Sequence, residues 1–223
     1  EDYVVLSPAQ DHKRIYDNDE GNNTGGMGSY APAPVINSHI LKEIEEKIIK
    51  PTILGMKTEG NPFIGCLYCG LMITKEGPKV IEYNCRFGDP ETQVVVPLIK
   101  SDFLELLYKA STNQLKNYKL DLSDKTAVCV VLASKGYPDK YETGKQIFGL
   151  ENLDKETIVY HAGTNYIDEK LVTSGGRVLG ITVLGKNLKD AIDKVYLEVK
   201  KVYFDGCYYR TDIGKKGLKH FNL

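Results

Sequence analysis

The sequence predicts an α+β protein, a mostly antiparallel sheet carrying helices, followed by a small β-rich C-terminal domain that ends in a helix. Three observations carry this. Residues 63–74 and 79–85 read as two strands joined by the turn sequence KEGPK, the pattern of a β-hairpin. Beyond residue 125 the chain breaks into short β-rich runs, TAVCVVLAS, TIVYHAG, KLVTSG and RVLGITVLG, separated by glycine and proline. At 188–203, Leu188, Ala191, Ile192, Val195, Val199 and Val202 fall on one stripe at helical spacing, with Asn187 and Asp190 at capping positions.

The remaining elements follow in order. The opening EDYVVLSPAQ is an apolar run without an initiator Met, and it predicts a strand whose neighbours lie in a segment upstream. Residues 10–34, rich in Gly, Asn, Asp and Pro, predict a long ordered loop of the kind that carries function. Ile40, Leu41, Ile44, Ile48 and Ile49 predict a helix over 38–60, with Ser38 as its N-cap and Pro51 kinking it or starting a second turn. The first hairpin strand is apolar on both faces and is expected at the centre of a sheet. SDFLELLYKAS predicts a helix over 101–111, and the polar stretch NQLKNYKLDLSDK marks a domain boundary, giving domains 1–122 and 123–223.

Composition narrows the function. The 223 residues are 42% apolar and 26% charged, and 29 Lys and Arg nearly cancel 30 Asp and Glu. Nothing in that balance points to a nucleic-acid or membrane surface as the main partner, while small anions remain open as ligands. The longest apolar run, IGCLYCGLMI, is far shorter than the roughly 20 residues of a membrane span. Five scattered cysteines suit a reducing cytoplasm better than a disulfide framework.

Three motifs resemble sites without completing them. Cys66 and Cys69 have C-x-x-C spacing, but a strand turns them to opposite faces and no second pair follows. GITVLGKN has Asn187 where a phosphate-binding loop needs Ser or Thr, and it reads as a strand entering a helix. DNDEGNNTGGMG places its glycines wrongly for a calcium loop.

Two stretches carry more chemistry. In GNNTGGMG, clustered glycines can turn successive N–H groups onto an anion, or simply form a flexible turn; the neighbouring QDHKR sets an acid, an imidazole and two cations after a strand end, or on a solvated face. In IEYNCRFGDPETQ, Glu82, Asn84 and Arg86 alternate with Ile81, Tyr83 and Cys85, so on a strand the polar three share one face and the others face the core. Carboxylate and carboxamide oxygens suit a hard cation such as magnesium, and a guanidinium one step on suits a phosphoryl oxygen. Asp89 and Glu91 follow on a loop shaped by glycine and proline.

QDHKR, NTGGMGSYAPAP, GCLYCGLMIT, GPKVIEYNCRFGDPETQ, HAGT and TSGGRVL together resemble the phosphoribosylamine–glycine ligase family of the ATP-grasp superfamily, from about residue 5 to the C-terminus. The resemblance implies the C-terminal half of an ATP-grasp core and an ATP-dependent joining of glycine to 5-phosphoribosylamine, with ATP as co-substrate and magnesium or manganese as metal. It puts the metal on Glu82 and Asn84 and catalytic charge on Arg86. Substrate binding falls to Asp11, His12, Lys13, Thr24, Gly25, Gly26, Met27, Gly28, Asp89 and Glu91. Two departures stand out: Cys69 and Gly70 occupy the region where many ATP-grasp enzymes carry another acidic metal ligand, and the family's N-terminal portion, the expected partner of this chain, is not in it. A related ligase or carboxylase acting on another acid, or a folded remnant without turnover, are the alternatives.

Overall fold

A computed structural model describes residues 2–221 of the chain. Its centre is a six-stranded antiparallel sheet. The N-terminal strands are β1 (Gln10–Asp11), β2 (Arg14–Tyr16), β3 (Glu20–Asn23) and β4 (Gly28–Ala31). Next come β5 (Tyr68–Thr74) and β6 (Gly77–Asn84), then β7 (Thr126–Ser134), β8 (Ile158–His161), β9 (Thr164–Ile167), β10 (Lys170–Thr173), β11 (Arg177–Gly185) and β12 (Cys207–Tyr208). The sheet order is β1-β4-β7-β11-β8, with β12 also pairing with β7. It thus joins strands from both sides of residue 122. Pairs β2–β3, β5–β6 and β9–β10 stand apart as two-stranded ribbons.

β7 explains the sheet's position, because all nine of its residues are buried. Its even-numbered side chains, Val128, Val130 and Leu132, join the main core, while Ala127 and Cys129 turn to a second cluster with Ala31, Val94 and Leu98. This is period-two alternation in a strand covered on both faces. The main core is closed by the last long helix, Leu188–Val199, whose Leu188, Ala191, Ile192, Val195 and Val199 are buried. Asn187 caps it, accepting from the Asp190 N–H at 2.9 Å, and Lys186 N–H donates to Asp190 in return. Burying each of the Leu, Ile and Val side chains contributes about 1.5–3 kcal/mol, so this stripe is what binds helix to sheet.

Several expectations are corrected. Residues 2–9 form no strand; only from Gln10 does the chain pair, with β4. Residues 10–34 are less loop than predicted, since the glycine-rich text includes β4, inserted beside β7 in the central sheet. Gly28 allows this, because a Cβ there would lie 2.5 Å from the Cys129 carbonyl oxygen, at φ +149°. The helix over 38–58 is Ser38–Ile44, a π-turn Glu45–Ile49, and Lys50–Thr58; its cap is Asn37, which accepts from Ile40 N–H at 2.9 Å, not Ser38. The π-turn sits just before Pro51, and Thr52 donates its hydroxyl to the Ile48 carbonyl at 2.7 Å in the disturbed ladder.

The largest correction is the hairpin. β5 pairs only with β6 and is not central, and Met72, Ile81 and Tyr83 are 55%, 62% and 42% exposed. The face expected to be core is open. A bulge is also present: Glu82 pairs with Gly70 but Val80 with Leu71, leaving Ile81 as the extra residue. Cys66 precedes the strand, and all five cysteines are free. Among the described residues, no helix is long and apolar enough to cross a membrane.

Candidate active site

The end of β1, the end of β6 and the loop after β6 meet over the edge of the central sheet. β1 delivers Asp11, paired through its backbone with Ser29 of β4. The Ser29 hydroxyl donates to the Pro90 carbonyl at 2.7 Å, which ties the GDPE loop to the same edge. Lys13 forms an ion pair with Asp11 and stands 4.0 Å from Glu91. Glu91 is buried, accepts from the Tyr68 hydroxyl at 2.7 Å, and has its other oxygen without a hydrogen-bond partner in the protein. That oxygen lies against Gly88, where a Cβ would approach it to 2.4 Å.

The charges in this group act on one another. Burial pushes the Asp11 carboxyl up to about 6, with Lys13 pulling down and Glu91 pushing up. Burial alone would lower Lys13, but Asp11, Glu91 and Glu82 hold its ammonium above the ordinary range. Burial and the Glu91 hydrogen bond raise the Tyr68 phenol, which keeps it a donor.

Glu82 and Asn84 share a face, and the Asn84 amide nitrogen donates to Glu82 Oε1 at 3.4 Å. That contact leaves the Asn84 carbonyl oxygen for another partner. Two hard oxygens on one face are donors of the kind that a hard divalent cation takes. No group of three or more His, Cys, Asp or Glu among the described residues is disposed to hold a metal. The Gly70 departure has a steric counterpart: it pairs with Glu82, and a Cβ there would sit 2.9 Å from Glu82 Cγ.

Other predicted residues stand elsewhere. β6 ends at Asn84, so Arg86 lies in the bend beyond it, and its Nη1 donates to the Phe87 carbonyl at 2.8 Å instead of extending the face. His12 is fully buried: Nδ1 approaches the Gly28 carbonyl at 3.3 Å and Nε2 accepts from Gly214 N–H at 3.4 Å. Burial, then the charges of Arg210 and Lys216, lower it to about 4. Met27 is buried too, with its N–H on the His12 carbonyl.

The glycine loop directs its donors inward. Thr24 N–H and hydroxyl both donate to the Lys13 carbonyl at 2.8 Å, Gly25 N–H to Tyr137 Oη at 2.9 Å, and Gly26 N–H to Thr24 Oγ1 at 2.9 Å. Asp89 is held by both nitrogens of Arg177, at 2.7 and 3.1 Å, and by Gln93 at 2.9 Å. Sequence reading passed over Tyr68, Tyr137 and Arg177 as site residues. Tyr68 had a signal, a lone hydroxyl in the apolar run GCLYCGLMI, and Arg177 stood in TSGGRVL; nothing marked Tyr137.

Comparison with known proteins agrees with this architecture. The sequence matches the phosphoribosylglycinamide synthetase ATP-grasp (A) domain over residues 1–92 and the C domain of the same synthetase over 127–216. It is 55% identical to the phosphoribosylamine–glycine ligase of Caldanaerobacter subterraneus, over 96% of this chain and 51% of that protein. The Chlorobaculum tepidum ligase is 47% identical over 98% of this chain and 52% of its own. The chain therefore spans about half the length of these relatives. The crystal structure of the Thermotoga maritima phosphoribosylamine–glycine ligase superposes with a TM-score of 0.85 at 41% identity, over 94% of this chain and 52% of that one. A biotin carboxylase domain of a thermophilic 2-oxoglutarate carboxylase, 12% identical over 89% of this chain and 43% of its own, shares the fold at a TM-score of 0.61. With the β5–β6 hairpin, the GDPE loop and the C-terminal sheet in one arrangement, the chain belongs to the phosphoribosylglycinamide synthetase family of ATP-grasp ligases.

Proposed function

We propose that this chain forms the metal- and substrate-holding part of an enzyme that joins glycine to 5-phosphoribosylamine at the expense of ATP, in purine biosynthesis. The observation that carries the reading is the convergence of Asp11, Lys13, Glu82, Asn84 and Glu91 at one sheet edge. In the reaction a glycine carboxylate oxygen attacks the γ-phosphorus of ATP, an O–P bond forms and ADP leaves. The amine nitrogen of 5-phosphoribosylamine then attacks the carbonyl carbon of the glycyl phosphate. The C–N bond forms, inorganic phosphate leaves and the nitrogen loses a proton.

The difficulty is charge, since an anion must approach an anion. A magnesium or manganese ion held by Glu82 and Asn84 would neutralise phosphate oxygens there. Lys13, half exposed between Asp11 and Glu91, adds a cation that a phosphoryl oxygen can reach. Arg86 is exposed and held only by a neutral carbonyl, so it is free to turn onto the same group. Asp89 is engaged by Arg177, which leaves Asp11 or Glu91 for the glycine ammonium. His12, Met27 and the Thr24–Gly28 loop act by shaping this surface from within.

In this reading the two parts, 1–122 and 123–223, divide the labour, the N-terminal one carrying the ligands and the C-terminal one buttressing them through the shared sheet. The further length of the relatives, taken as the N-terminal portion, would cover adenine and ribose and exclude water. The five free cysteines support a cytoplasmic setting. The test is phosphate release and glycinamide ribonucleotide formation by the polypeptide at the relatives' full length, beside the 223-residue chain. Turnover dependent on both glycine and 5-phosphoribosylamine supports the reading; turnover with bicarbonate or another acid in place of glycine overturns it.

A further inference from the structure

The geometry points to a clamp: Tyr137 and Arg177, far downstream in the chain, grip Gly25 from its two sides and position the glycine loop, and through it Asp11. Tyr137 Oη accepts the Gly25 N–H at 2.9 Å, and Arg177 Nη1 donates to the Gly25 carbonyl at 3.0 Å. Both polar groups of one glycine are thus held by side chains 112 and 152 residues away. The same guanidinium reaches the Gly26 carbonyl at 3.5 Å and binds both oxygens of Asp89. A planar fork with fixed donors is needed to serve these four oxygens at once.

Space confirms the grip. A Cβ on Gly25 would lie 3.0 Å from Arg177 Cζ, and on Gly26 it would lie 2.3 Å from Pro90 Cδ and 2.9 Å from Asp11 Oδ1. The loop is therefore pressed between Arg177 on one side and Pro90 and Asp11 on the other. Tyr137 is itself seated, with its ring where a Gly176 Cβ would approach to 2.3 Å and its N–H on the Ser134 carbonyl at 3.1 Å. An Asp11 carboxylate resting on Gly26 moves when that loop moves. The two residues touch the loop and Asp89 and are positioning residues. Their effect on turnover rests on the function proposed above.

The experiment has one readout independent of function and one that depends on it. Hydrogen exchange of the Gly25 amide, followed in this chain, should quicken at least about tenfold in Tyr137→Phe, which keeps the ring and loses only the acceptor. In the full-length enzyme, Tyr137→Phe should raise the glycine KM about fivefold and Arg177→Met about tenfold, with the ATP KM changed by less than about twofold. Gly25→Ala should raise the glycine KM no more than Arg177→Met, and the Gly25→Ala/Arg177→Met double variant should be no worse than Arg177→Met alone, because the contact that Gly25→Ala breaks is among those that Arg177→Met removes. Unchanged exchange in Tyr137→Phe overturns the clamp. Faster exchange with an unchanged glycine KM, additive effects in the double variant, or equal changes for every substrate overturn its positioning role. A wild-type enzyme that shows no glycine-dependent turnover, while exchange responds as expected, overturns the proposed function and leaves the clamp standing.

Discussion

Two ionic clusters adjoin His12, one centred on an arginine and the other on a lysine, and they are finished differently. In the inner one Arg210 is 0% exposed and donates to both oxygens of Asp212 at 2.7 Å, to Asp19 at 3.1 Å and to the Arg14 carbonyl at 3.0 Å. Asn18 N–H adds a bond to Asp212 at 2.9 Å, and Lys216 pairs with Asp19. In the outer one Lys13 is half exposed, stands 4.0 Å from Glu91, and leaves a Glu91 oxygen unpaired, while Glu82 and Asn84 touch only at 3.4 Å. The inner cluster is saturated and pins the turn after β2 to the C-terminal segment. The outer cluster has capacity left over, which is what a binding site requires.

The strongest way to break this contrast is Arg210→Met. It strands Asp212 and Asp19 beside a buried apolar side chain, and stability should fall by about 3–5 kcal/mol. Urea denaturation measures it; a loss under about 1 kcal/mol would mean that the inner cluster is no more structural than a surface pair.

Glu82→Gln reverses the pattern. In the full-length enzyme the rate should fall about a hundredfold and the magnesium requirement rise, with stability changed by less than about 0.5 kcal/mol, since an amide oxygen is a weaker partner for a hard cation. Magnesium titration of the rate decides it, and near-normal turnover at ordinary magnesium would remove Glu82 from the metal site. Arg86→Lys sharpens the outer cluster further. If the guanidinium turns from the Phe87 carbonyl onto a phosphoryl group, losing its planar fork should slow turnover about tenfold, about 1.4 kcal/mol, with the ATP KM little changed. A rate within about twofold of wild type would assign Arg86 to the bend alone.

What the sequence made legible follows the range of the interactions. β7 and β11 were readable as β-rich runs bounded by turn residues, and the helix Leu188–Val199 by its apolar stripe, because each signal lies within a few residues. The Glu82–Asn84 face was readable for the same reason. The bulge at Ile81 was not, because it is a relation between two strands, and it is beyond this bulge, where β6 ends, that Arg86 departs from the face. β4 was hidden by composition: Gly28 in a glycine-rich stretch reads as loop until the Cys129 carbonyl behind it is known. Arg177 with Asp89, and Arg210 with Asp19, join residues 88 and 191 apart, and no local pattern announces such pairs.

The smallest expected effect comes from His12 and Asp11, neighbours in sequence that belong to the two clusters and titrate in opposite senses. His12 lies at about 4 in the fold against 6.5 when free, so its buried neutral ring contributes stability that is present above pH 6.5 and lost as pH falls towards 4. Asp11 lies at about 6 against 3.8, so the penalty of burying its charge is relieved as pH falls through 6. Between pH 7 and 5 the two nearly cancel. Asp11→Asn removes the compensating group and leaves His12 unopposed, so the variant should lose about 1 kcal/mol more than wild type on going from pH 7 to pH 5. Urea midpoints at the two pH values measure the difference. Parallel changes in the two proteins would show that Asp11 carries its charge freely, as an open, solvated carboxylate would, and would move it from the buried edge of the site to its surface.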